Sequence, residues 1–301
     1  DPMVRRRACE SLARSGLTAP IDKLSVLLKS EDRYEATCAR RVLEQMPSGR
    51  WKESLIGSDD HRLVIQGSLA LMTAEPTHEH ALLVIGRLVE LMDGFVTDRD
   101  FIDMLRVMQV ATLRGEIQPQ DVPHMRKLLA EEYPSGNELM NRELVRLLTY
   151  FQVTSIMDRY MSQLQSDSVP EMEKLHLALH LCFLDDGWTV GQRIQILEFL
   201  ETAQNHHHAD VSFGRYVRRS SREFAQSFSD DETLSVLVQG ASWPRATMAL
   251  LYRMPEKLDR ETRSALLRLD QELLPKEDLP SMRLKVGIAA VLAIRDPNTS
   301  V

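Results

Sequence analysis

The feature that most constrains this chain is a pattern that returns. It opens Asp1-Pro2-Met3-Val4-Arg5-Arg6-Arg7-Ala8-Cys9-Glu10-Ser11-Leu12. Laying Ala8 over Ala39 also lays Asp1 over Asp32 and Leu12 over Leu43, a spacing of 31 residues. A looser third copy sets Asp60 at the turn, Gly67 at the small position and Leu71 at the large one. Asp-Pro opens a helix, because proline at the first helical position gives up an N–H that had no intrahelical partner. Val4, Ala8 and Leu12 then recur every four residues as one apolar stripe, with Arg5, Arg6 and Glu10 off it. The small residue lets neighbouring helices approach closely, so Ala8, Ala39 and Gly67 are expected to be equivalent close-contact positions. A repeated pair of antiparallel helices of this length predicts an all-α chain, an α-solenoid.

The first helix is expected over 3–15, ended by Gly16 where a left-handed φ is needed. Pro20 opens the next, with Ile21, Leu24, Val26, Leu27 and Leu28 as its apolar set. Its partner spans 33–46, with Ala36, Ala39, Val42, Leu43 and Met46 inward. Beyond Pro76 the strict period is lost but the helical patterning continues. Helices are predicted at about 77–92, 98–113, 121–132, 136–152, 154–164, 170–184, 189–204, 209–228, 231–238, 243–253, 259–272 and 279–295. Capping boxes are expected at Ser135 with Glu138, Thr189 with Gln192, and Ser229 with Glu232. Pro123, Pro170, Pro244 and Pro280 fall near helix starts, as do Trp51, Trp188 and Trp243, whose rings are expected to anchor the helices by burial. No run reads as a strand, and no Gly/Ser linker divides the chain. The expectation is one continuous domain over 1–301, with the repeats clearest over 1–75 and degenerate over 76–301.

The chain carries 37 Lys and Arg against 44 Asp and Glu, a net charge of −7. That gives no bulk attraction to nucleic acid, and an aromatic content of 6% gives little to stack bases on. Cys9, Cys38 and Cys182 form no CxxC pair and no disulfide framework. No apolar run is long enough to span a membrane. The first residue is already inside the motif and Asp296-Pro297 restarts it, so a piece of a longer protein is expected.

Candidate chemistry is sparse. His176 and His180 lie four apart on one helix face, the spacing of two metal ligands. The segment lacks the glutamate that a zinc protease places after its first histidine, and two ligands fall short of the three or four that a site needs. His206, His207 and His208 form a triple-histidine connector that chelates a metal weakly if at all. Arg215, Arg218, Arg219 and Arg222 stripe one face of the helix at 209–228, opposite Phe213, Val217, Phe224 and Phe228. They suit an anionic partner, or an ordinary solvated face. Arg5, Arg6 and Arg7, with Arg40 and Arg41 one repeat on, line up as a second basic ridge if equivalent positions stack. There is no GxSxG, GxxxxGK[ST] or GxGxxG.

The pattern Asp1-Pro2-x-Val4-Arg5-x-x-Ala8-x-x-x-Leu12 and its copies resemble the HEAT-repeat family. The copies depart from it: Arg33 stands for Pro2 and Ala36 for Arg5. Four stretches, Asp1–Gly16, Asn141–Leu148, Phe183–Thr189 and Val286–Leu292, resemble the helical segment of large multidomain bacterial proteins that carry a c-type cytochrome module. The Cys-x-x-Cys-His haem motif is absent, so the resemblance transfers no haem ligand. It implies a docking arm of an extracytoplasmic, periplasmic protein. The expected function is a non-enzymatic scaffold, with no cofactor in this chain, that holds a protein or a neighbouring domain. The alternatives are a metal- or haem-associated redox segment using His176 and His180, and a nucleic-acid-binding helical repeat using the arginines.

Overall fold

The computed structural model describes residues 1–203 and 211–295. Among these residues there are seventeen α-helices, three short 3-10 turns and no strand. The chain divides into two compact units, Asp1–Val153 and Thr154–Val301.

Unit one holds α1 (Pro2–Ser15), α2 (Ile21–Leu28), α3 (Arg33–Leu43), α4 (Lys52–Ile56), α5 (His61–Ala74), α6 (His78–Met92), α7 (Asp98–Arg114), α8 (Pro123–Glu132) and α9 (Glu138–Tyr150). The repeated aspartates start the odd-numbered helices. Asp1 caps α1, Asp32 caps α3 and Asp60 caps α5, each side chain accepting free N–H groups of the first turn. Such a cap is worth about 1 kcal/mol. Thr97 and Asn137 do the same for α7 and α9. Gly16 ends α1 at φ 65°, where a side chain would be strained.

The even helices pack on the odd ones that follow: α2 on α3, α4 on α5, α6 on α7 and α8 on α9. The odd helices also pack on one another, α1 on α3, α3 on α5, α5 on α7 and α7 on α9. Ala36, Ala39, Val42, Leu43 and Met46 are all buried, as their spacing predicts. Trp51 is fully buried at the start of α4 and donates its indole N–H to the Met46 carbonyl at 3.2 Å. Gly67 is buried where α5 crosses α4; a Cβ there would lie 3.0 Å from the Leu55 Cβ.

Three expectations fail in this unit. Ala8 and Val4 are exposed, and the buried residue of α1 is Cys9. One residue is a step of about 100° round a helix. The side of α1 that meets α3 therefore runs through Arg6, Cys9, Glu10 and Ala13 rather than along the Val4–Ala8–Leu12 line. Val26, counted with the inward set of α2, is 66% exposed. The helix expected from 136 starts at Glu138, so Asn137 caps it, and Ser135 instead pairs with the Asn141 side chain.

Unit two holds α10 (Met157–Gln165), α11 (Glu171–Leu181), α12 (Val190–Ala203), α13 (Val211–Ala225), α14 (Asp230–Val238), α15 (Pro244–Leu250), α16 (Arg260–Leu273) and α17 (Leu279–Arg295). The Thr189–Gln192 and Ser229–Glu232 boxes form as expected, each side chain capping the other's backbone. Helix α12 packs on α11, α13 and α15, while α15 packs on α17 and α16 on α14 and α17. Leu237, Leu251, Leu266, Leu269, Leu284 and Ile288 fill the core at the α14–α17 end. Arg193 is buried between the rings of Trp188, Phe224 and Phe228. It hydrogen-bonds the Ser227 hydroxyl and lies 3.7 Å from the Glu232 carboxylate. At Gly187, φ is +78° and a Cβ would fall 2.5 Å from that of Thr154, so glycine is required there twice over.

Candidate interaction surface

The basic ridge read from Arg5, Arg6, Arg40 and Arg41 is engaged internally. Arg5 makes a two-pronged contact with Glu35 of α3, at 2.5 and 3.3 Å. Arg6 and Arg7 both pair with Glu10, and Arg6 also lies over the Tyr34 ring. Arg40 and Arg41 both pair with Glu44, and Arg40 reaches Gln66 of α5 at 3.0 Å. The same device continues at positions that sequence reasoning did not single out. Arg62 of α5 holds Asp103 of α7 at 2.8 Å, and Arg106 of α7 holds Glu143 of α9 at 3.1 Å. The donated hydrogen bonds from Arg5 hold the Glu35 carboxyl below the usual range against its burial. Burial pushes Glu143 up, but bonds from Gln109, Arg146 and Arg106 outweigh it and leave its pKa lowered. These arginines join neighbouring helices.

His176 and His180 lie on α11 with their rings 4.1 Å apart, and His180 Nδ1 is 2.7 Å from the His176 carbonyl. Among the described residues no group of three or more His, Cys, Asp or Glu stands close enough to hold a metal ion. His206, His207 and His208 lie outside the described residues. Desolvation pushes the pKa of the partly buried Cys182 thiol well above its usual value, which keeps it protonated.

The arginines of α13 behave differently. Arg215, Arg218, Arg219 and Arg222 are all exposed, opposite buried Val217, Phe224 and Phe228. Arg219 pairs with Glu223 on its own helix, and Arg222 stacks over the Tyr252 ring at 3.9 Å. Arg218 lines a cleft of about 720 Å³ that is bounded by α13, α15 and α17. The cleft wall is apolar, built from Met248, Leu251, Met282, Val286 and Ile294. Arg283 and Arg295 of α17 line it as well, and Glu201 supplies the one carboxylate among the described lining residues. Glu201 accepts a hydrogen bond from the Ser221 hydroxyl at 3.1 Å. Neither Arg218 nor Arg283 has a carboxylate partner among the described residues.

Helix α17 explains why the wall is apolar. Ser281, Leu284 and Ile288 are its buried residues. Its opposite side carries Leu279, Met282, Val286, Ala289 and Ala293, all exposed, with Val286 at 72%. The helix thus carries apolar residues on its exposed as well as its buried side, interrupted by Arg283, Lys285 and Arg295, a composition that favours cover on more than one side. Gly287 lets it sit close to its neighbours, since a Cβ there would meet Leu251 and Met248 at under 3 Å. Sequence reasoning found Arg218 and Arg222 but missed Arg283, Arg295 and the apolar face between them. The signal was present in the run Leu279–Arg295, which has no polar side wide enough for a solvated helix.

No protein-family model, no curated protein and no solved structure matches this chain. Among the described residues no helix is long and apolar enough to cross a membrane.

Proposed function

We propose that this chain is a non-enzymatic scaffold, an α-solenoid of HEAT-like antiparallel helix pairs that holds another protein or a neighbouring domain. The observation that carries the reading is the cleft beside α17, where exposed apolar residues of that helix lie beside Arg218 and Arg283, which have no carboxylate partner among the described residues. A contiguous apolar patch rimmed by charge is the usual mark of a protein contact. The solenoid part draws support from the alternation in unit one, where each odd helix packs on the even helix before it and on the odd helices to either side. The resemblance to cytochrome-bearing proteins suggests a c-type cytochrome module as one candidate neighbour.

The test is a photo-crosslinking residue placed at position 286, with a second one at the exposed Glu79 of α6 as control. The expected result is one discrete crosslinked protein from position 286 and none shared with position 79. A diffuse or empty pattern from position 286 in cells of the native host would end the docking reading.

A further inference from the structure

We infer that the α17 cleft takes an acidic amphipathic α-helix from a partner polypeptide. This rests on the scaffold reading above and adds the chemistry of the occupant. The first argument is spacing. Four exposed apolar residues of α17 line the cleft, Met282, Val286, Ala290 and Ile294, each four positions after the last. A row of side chains four positions apart is a ridge of the kind that seats in the groove of a second helix. An extended strand would instead call for free backbone groups at an edge, and a helix has none along its length.

The second argument is charge. Arg283 and Arg295 stand twelve residues apart on α17, about 18 Å along its axis at 1.5 Å per residue. Arg218 contributes a third guanidinium from α13. Among the described residues no carboxylate pairs with Arg218 or Arg283, and Glu201 accepts a bond from Ser221. Guanidinium groups recognise carboxylates through paired N–H donors. A partner helix of some three turns, with apolar residues every three or four positions and carboxylates near both ends, therefore matches the groove in length, polarity and charge. The chain as a whole is acidic, so this basic patch stands against the net charge of −7.

The probe is a capped, fluorescein-labelled peptide of about 16 residues, which covers the ~18 Å span with a turn to spare. It carries Leu at heptad positions a and d and Glu at e and g. A second peptide has Lys for every Glu. Fluorescence anisotropy with the full chain is expected to show saturable binding of the acidic peptide and none of the basic one. In the doubly substituted variant Arg218→Glu/Arg283→Glu the acidic peptide should lose affinity at least about tenfold, and the basic peptide should gain it. Val286→Ser should weaken the acidic peptide while leaving the thermal midpoint of the protein unchanged, because the residue is exposed. Binding of neither peptide, equal binding of both, or binding indifferent to the arginines overturns the inference. So does self-association in sedimentation equilibrium that Val286→Asp abolishes. Phe95 of unit one, 89% exposed in a cleft also lined by Asp98, Glu131 and Glu132, is the knob such self-association would use. Preferential binding to phosphatidylserine vesicles overturns it as well. A discrete crosslink at position 286 together with failure of both peptides would leave the scaffold and discard only the acidic helix.

Discussion

Arg106 Nε of α7 donates to Glu143 Oε1 of α9 at 3.1 Å, and the same carboxylate takes two further bonds, from Gln109 at 2.9 Å and Arg146 at 2.6 Å. One buried acid thus gathers three donors from two helices. Removing it should strand Gln109 and leave two half-exposed arginines without a counter-charge. Glu143→Ala is expected to lower unfolding free energy by about 1–3 kcal/mol, the range for unsatisfied partners of a charged hydrogen bond. Urea denaturation measures it, and a change under about 0.5 kcal/mol would mean the carboxylate is dispensable.

The same acids should set the low-pH limit of unit one. Glu35 and Glu143 both have folded-state pKa values lowered from the ordinary glutamate value. The folded state therefore binds fewer protons at these sites than the unfolded chain does. Their contribution is complete above the unfolded value of about 4.3 and is lost as pH falls through the folded values. The urea midpoint should hold steady down to about pH 5.5 and fall below about pH 4.3. In Glu35→Gln/Glu143→Gln the fall should be shallower, and equal slopes in variant and parent would refute the assignment.

Ala39 and Ala8 hold matching places in the repeat but opposite environments. Ala39 is fully buried between α3 and its neighbours, while Ala8 is exposed on α1. Ala39→Leu should cost about 1–3 kcal/mol by overpacking. Ala8→Leu should stay within about 0.5 kcal/mol. A thermal melt of each variant decides it, and equal shifts would contradict the packing of α1.

The two sides of α17 should separate folding from docking. Ile288→Asp buries a carboxylate in the α14–α17 core and should cost more than about 3 kcal/mol. Val286→Asp places the same group on the exposed face and should be nearly neutral. Parallel melts of the two variants are the check.

Much of the helical layout is legible in the sequence because caps are local. Asp32, Asp60 and Ser229 satisfy N–H groups two or three residues away, so their sequence neighbourhood suffices to place them. What a helix packs against is not local. Nothing near Val4 and Ala8 tells that Cys9 faces α3, because that depends on the angle at which a distant helix arrives. The arginines show the same divide. Arg5 and Arg40 have the look of a free ridge, since Glu35 and Gln66 lie 30 and 26 residues away in the chain. Arg218, on a helix with the same kind of stripe, meets no carboxylate among the described residues. Identical residue types in similar patterns thus part ways according to which carboxylate the fold delivers.

Four side-chain links of unit one, one at each step between odd helices, share a sense of direction. Arg5 of α1 reaches Glu35 of α3, Arg40 of α3 reaches Gln66 of α5, Arg62 of α5 reaches Asp103 of α7, and Arg106 of α7 reaches Glu143 of α9. In each the cation comes from the earlier helix and the acceptor from the later one. Each of these four joints is therefore of one gender, plug forward and socket behind, although Arg114 of α7 reaches back to the Met72 and Thr73 carbonyls of α5. A helix pair duplicated or deleted by recombination would still present a plug to a socket at the new junction, whereas an inverted pair would set like against like. Gain and loss of whole modules is the kind of change that such a polarity tolerates best.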